Sequence, residues 1–223
     1  MLSKQSITFN NGLMSSLLLF WNLTHILYSS LWLIGTTMED VMSITNLSPT
    51  GVSCFDSKYH DFSSYPWDSS STAYSHFMTY RRSALPFVSD VETISFYLDL
   101  ICKFFVCHSF IHIQKIFLPM AYAFHYNIQA IALAPYFLGL VYRAINEVLD
   151  KSFSTTTSGP LWFVQLWAYA YFPVLAREPS VPFESIPNVS SYGDYLMSLT
   201  EASNDFETCF KYLSSPSIQT PAE

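Results

Sequence analysis

With 223 residues, half of them hydrophobic and 17% aromatic, the chain has ample apolar material for a large core and falls outside the disordered class. Only 12% of the residues are charged, and the net charge of −7 argues against direct nucleic-acid binding, which needs clustered Lys and Arg. Arg81-Arg82 is the one adjacent basic pair, too little for a nuclear-import patch. The length suits a single domain, taken as 13–213, with a disordered tail over 214–223.

The uncharged stretches 13–34 and 116–142 invite a membrane reading. A spanning helix needs about 20 mainly apolar residues. The first stretch carries Asn22, Thr24, His25, Ser29 and Ser30 in its middle, and the second is interrupted by Pro119, His125, Asn127, Gln129 and Pro135. Polar groups are costly there, and no Lys/Arg cluster flanks the first stretch to orient it. A buried core is the favoured reading, with an integral membrane protein as the alternative.

In chain order, 24–34 is rich in Ile, Leu, Tyr and Trp with a Tyr-Ser-Ser break, and reads as two short strands or a hairpin. Thr37, followed by Glu39 and Asp40, caps a short helix that buries Val41 and Ile44 and stops by Leu47, before Pro49 and Gly51. The Ser-, Tyr-, Asp- and Pro-rich stretch 54–83 is a long polar loop. Ser89-x-x-Glu92 starts the clearest helix, with Ile94, Leu98, Ile101 and Phe105 at helical spacing. Pro119 kinks or breaks the helical 113–126 segment. Pro135 opens another helix that turns Leu138, Val141, Tyr142, Ile145 and Leu149 inward.

After the loop 153–159, the segment from Pro160 is apolar on every side and should form a central helix, ended by Pro173. VPFESIP (181–187) is an extended linker. The 192–213 region forms one or two helices with Leu196, Leu199, Phe206, Phe210 and Leu213 inward. The fold class is therefore mainly α, with a small β element near the N-terminus.

Chemistry is sparse. His108 and His112 share a helix face as metal ligands often do, but the Glu of an H-E-x-x-H metalloprotease is missing. A metal-dependent enzyme using this pair is the second alternative. Cys54, Cys102, Cys107 and Cys209 read as reduced intracellular thiols, with Cys102 and Cys107 on different sides of one helix. No Gly-rich phosphate cradle, hydrolase elbow or pyridoxal-phosphate lysine motif occurs. Neither a cofactor nor an enzymatic activity is expected. Gln165 is the one polar group of the apolar segment, and its amide is expected to bond the backbone of a neighbouring segment. Trp162 and Trp167 are read as core indoles. Arg143 either pairs with Glu147 or is partly buried against an indole.

GPLWFVQLWAYAYFP (159–173) resembles the Gly-Pro-Leu-Trp-x-x-Gln-Leu-Trp signature of the plant mobile domain, also called the aminotransferase-like plant mobile domain. Phe20-Trp21, Thr24-His25, TTMEDVMSITNLSPTG (36–51), SDVETISFYLDLICKFFVCHS (89–109) and 116–146 are similar to the other blocks of that family, in the same order. The matching positions are Asp40, Val41, Leu47, Gly51, Tyr142, Arg143, Gly159, Pro160, Leu161, Trp162, Gln165, Leu166, Trp167 and Phe172. Asn46 stands where relatives usually have Gly.

The resemblance implies a retroelement- or transposon-related protein. It places the chain in the nucleus among nuclear protein partners and links it to transposon silencing, genome stability or meristem development. It brings no catalytic residues. Many relatives continue into charged regions or a fused phosphatase-like domain, whereas this sequence stops at Glu223, which reads as a shortened, transposon-derived copy.

Overall fold

The computed structural model describes residues 9–21, 27–28, 33–52, 88–107, 113–126, 130–150, 159–176, 191–199 and 205–214. The 54–83 loop, His108, His112, the 181–187 linker and the tail beyond Ser214 lie outside them. The described part is mainly helical. Its α-helices are α1 (Asn11–Phe20), α2 (Met38–Thr45), α3 (Asp90–Leu100), α4 (Leu118–Tyr126), α5 (Leu133–Asp150), α6 (Leu161–Tyr171), α7 (Tyr192–Ser198) and α8 (Phe206–Ser214). A short antiparallel pair joins β1 (Leu27–Tyr28) to β2 (Leu33–Ile34), with Leu27 opposite Ile34.

Local chemistry explains several boundaries. Asn10 caps α1 by accepting from the Leu13 N–H at 2.9 Å. Thr37 and Asp40 form a reciprocal capping box on α2. Ser89 accepts from the Glu92 N–H and caps α3. At the other end of α2, Asn46 adopts a left-handed conformation with φ +57 and returns its N–H to the Met42 carbonyl, the position where glycine is commonest.

Two hydrophobic clusters form the interior. The first gathers α1, α2, α5, α6, α7 and α8 around Trp167, Phe137, Phe163 and Phe172. The second packs α3, its continuation and α4 around Leu98, Ile101, Met120 and Ala121. Leu47 and Phe105 touch both. The α3–α4 pair is tied at one end by Asp90, which meets the His125 Nε2 at 3.1 Å and accepts from the Tyr126 hydroxyl at 3.0 Å.

Several expectations need correction. Helix α3 passes at Ile101 into a π-helical turn ending at Val106, and Cys107 leaves it with φ +44, so Cys107 is not a helical residue. The break expected near Pro119 falls between a 3₁₀ turn at Lys115–Phe117 and α4, with Pro119 in the first turn of α4, where its missing N–H is harmless. α5 begins at Leu133, two residues before Pro135, and its buried stripe is Phe137, Leu140, Val141, Ala144, Ile145 and Val148. Leu138, Tyr142 and Leu149 lie at the edge of that stripe, only partly buried.

Leu196 and Leu213 are buried as expected, but Phe206 and Phe210 are 43% and 37% exposed. Cys209 and Leu213 take the inner face of α8 instead, and the two phenyl rings stack on each other, with the Phe210 ring tilted against Phe20. Of the proposed membrane stretches, 13–34 ends its helix at Phe20, and 116–142 is divided between α4 and α5. Among the described residues no helix is long and apolar enough to cross a membrane.

Candidate functional site

Helix α6 meets α1, α2, α5 and α7. Gly159 has φ +116, and a Cβ there would lie 2.4 Å from the Ala144 Cβ, so a side chain is excluded by both conformation and space. The Gly159 N–H donates to the Cys107 carbonyl at 3.0 Å. Buried Pro160 then occupies the cap position of α6. At the second residue of α6, the Trp162 Nε1–H donates to the Phe104 carbonyl at 2.9 Å. The π-helical turn and the residue that follows it thus offer two carbonyls, Phe104 and Cys107, and the Gly-Pro-Leu-Trp entry takes both.

Gln165 is buried, and its Oε1 accepts from the Asn10 backbone N–H at 2.8 Å, so the amide binds the α6 centre to the start of α1 as the sequence suggested. Trp167 is fully buried, edge-on to Trp21 and Phe172. Trp162 is only partly buried, packing beside Phe137 and Phe163. Leu166 and Phe172 are buried, and Leu161 is half-buried.

At the far end of α6 the Tyr171 hydroxyl donates to Asp40 Oδ1 at 2.8 Å, while Asp40 Oδ2 accepts from the Thr37 N–H and hydroxyl. Burial and the Asp40 charge push the Tyr171 phenol up to about 12. Val41, beside Asp40, is fully buried. The Tyr142 hydroxyl donates to the Thr36 carbonyl, fastening α5 to the same loop. Arg143 is exposed on α5, which removes the reading of partial burial against an indole.

Gly51 has φ +141, and a Cβ there would meet the Ala130 carbonyl oxygen at 2.3 Å. The bare backbone allows Val52 to pair in parallel with Ile131, the Val52 N–H donating to Ala130 and the Ala132 N–H donating to Val52. Ser48 accepts from the Ala134 N–H nearby, so the Leu47–Gly51 loop is stitched along the start of α5.

Chemically the site offers no activated nucleophile among these groups. Burial pushes the Cys102 thiol up to about 11 and the Cys107 thiol up to about 12, well away from a thiolate at neutral pH. Cys102, Cys107 and Cys209 are free thiols. Among the described residues no group of three or more His, Cys, Asp or Glu could hold a metal ion.

The helices also border a half-open cavity of about 370 Å³. Ile44, Thr45 and Leu47 form its α2 wall, and Leu100, Phe104 and Phe105 its α3 wall. Phe137 of α5 with Trp162 and Leu166 of α6 make the floor, and Ser191, Gly193, Asp194 and Met197 border it from α7. Gly193 is needed there, since a Cβ would fall 1.9 Å from the Ile44 carbonyl oxygen. Neither the cavity nor the Phe104 and Cys107 carbonyls were legible in the sequence, because segments far apart in the chain build them and no local pattern marks them.

No match is found among curated proteins or among solved structures. The model of one protein family, described as the plant mobile domain, matches residues 1–215. That match spans every element whose bonds are described above, and the chain therefore belongs to the plant mobile domain family.

Proposed function

We propose that the chain is a non-enzymatic protein-interaction domain of the transposon-related kind, working in the nucleus in transposon silencing, genome stability or meristem development. The observation that carries this reading is where four of the family-matching residues send their polar side-chain groups. Gln165 serves Asn10, Asp40 serves Thr37 and Tyr171, Tyr142 serves Thr36, and Trp162 serves Phe104. Groups spent on internal bonds hold a scaffold together and are not poised for catalysis. A scaffold of this kind leaves recognition to its outer faces, and the negative net charge favours protein over nucleic acid as the partner.

Proximity labelling with the full chain in plant nuclei tests this reading, followed by direct binding of purified candidates. The expected result is nuclear accumulation and at least one partner that binds the purified chain. Exclusion from nuclei, or a neighbour set equal to that of an unrelated helical protein, would overturn it.

A further inference from the structure

We propose that the cavity between α2, the π-helical turn, α5, α6 and α7 is a binding site for a neutral, apolar small molecule of two or three rings. This goes beyond the interaction role and does not depend on it.

Size is the first argument. An engineered cavity of about 150 Å³ lined by Leu, Ile and Phe stays dry and takes up benzene. The space here is about 370 Å³, within the roughly 300–1,000 Å³ range of ligand pockets. A molecule with two or three rings matches that space better than a single ring does.

The chemistry of the wall is the second argument. Phe104, Phe137, Trp162 and Leu166 make its inner surface apolar. Three of its polar side chains are engaged: the Thr45 hydroxyl donates to the Val41 carbonyl and accepts from the Leu47 N–H, the Trp162 N–H is held by the Phe104 carbonyl, and the Ser191 hydroxyl accepts from the Asp194 backbone N–H. Water against these apolar walls is held less well than in bulk, so an apolar ligand that covers them displaces it at a gain. Among the described residues no basic side chain lines the wall, and their one ionisable group there is the acid Asp194, so an anionic ligand is disfavoured. Met197 lines the cavity while exposed to solvent, and so marks the mouth.

The test titrates the purified full chain with N-phenyl-1-naphthylamine, a neutral probe that brightens in apolar surroundings. In parallel it uses 8-anilinonaphthalene-1-sulfonate, the same body carrying an anion. The expected result is one saturable equivalent of the neutral probe, with the sulfonate at least tenfold weaker. Met197→Trp at the mouth and Leu47→Trp on the α2 wall should each weaken the neutral probe at least tenfold, while Phe206→Ser on the outer face of α8 leaves it unchanged.

Methyl NMR of the parent chain, with the Met197 signal assigned by Met197→Leu, makes the outcome independent of whether the filled variants fold. The Met197 methyl should shift on probe addition and the buried Met14 methyl of α1 should not. No saturable binding, equal binding of the sulfonate, or a Met197 methyl that stays in place would each overturn the proposal.

Discussion

A buried amide without a partner costs about 1–3 kcal/mol, and Gln165 avoids that cost by accepting from Asn10, a residue 155 positions away. Gln165→Leu keeps the volume and leaves the Asn10 N–H buried without its acceptor. Urea denaturation should therefore show a loss of about 1–3 kcal/mol, and an unchanged midpoint would mean that the bond contributes nothing. The two indoles of the same helix should behave differently. Trp167 has no exposed surface, so Trp167→Ala should cost about 3–5 kcal/mol. Trp162 is half-buried and borders a space that is already open, so its truncation should cost less; equal losses would contradict this ranking. Sequence reading found both indoles and the amide, because an apolar run with one polar residue allows few arrangements. It could not rank the indoles, because burial depends on how far the π-turn stands from α6. Asp99 escaped it altogether. This carboxyl is 2% exposed on α3, its Oδ1 lacks a partner, and burial raises its pKa to about 6 against a partial opposing effect of Lys103. A raised acid binds its proton more tightly when folded, so its contribution is favourable below about pH 4 and is lost as pH rises through about 6. Asp99→Asn should then raise the unfolding midpoint at pH 8 and bring little gain at pH 4. A gain confined to low pH would reverse the assignment.

At the scale of the elements, the termini were far more legible than the faces. Thr37 and Ser89 cap their helices as their spacing to Asp40 and Glu92 suggested, because a cap is a contact within one turn of chain. The inner face of α5 is rotated by about one residue from the stripe read in the sequence, since Ala144 must face Gly159 and the tight approach pulls Phe137, Leu140 and Val141 inward with it. The same kind of rotation puts Cys209 inside and Phe206 and Phe210 outside on α8. α1 was missed as a helix. Its run of Leu and Ser carries no acid in the first turn and no base in the last, and the cap at Asn10 is its one local signal. The departure at Asn46 is explained by the backbone. The α2 terminus needs φ +57, glycine takes that value freely, and asparagine is the next best residue. Asn46→Gly should leave the midpoint of thermal unfolding unchanged or slightly raised, while Asn46→Ala should lose about 1–2 kcal/mol. If alanine matched asparagine, the left-handed terminus would be wrong.

Across the whole molecule the open question is whether two hydrophobic clusters make one cooperative unit. The first contains α1, α2, α5, α6, α7 and α8, and the second contains α3, the π-turn and α4. Several kinds of link cross between them. Leu47 and Phe105 pack against both, the Phe105 ring lies edge-on to Phe137 at 5.4 Å, and the π-turn and the residue that follows it give the Phe104 and Cys107 carbonyls to the start of α6. A further strip, Val52 against Ile131, ties the loop after α2 to the segment between α4 and α5. These links involve buried packing together with backbone hydrogen bonds, each about 0.5–1.5 kcal/mol net, and their sum is comparable to the 5–15 kcal/mol stability of a whole domain. The two clusters should therefore open together. Native-state hydrogen exchange checks this, because amides of Leu98 and Ala121 in one cluster and of Val141 and Val164 in the other should share one global opening free energy. Phe105→Ala removes one shared ring and should lower protection in both clusters by a similar amount. Earlier exchange at Leu98 and Ala121 in the parent chain would show that α3 and α4 form a separate unit, and the single-domain reading would then fail.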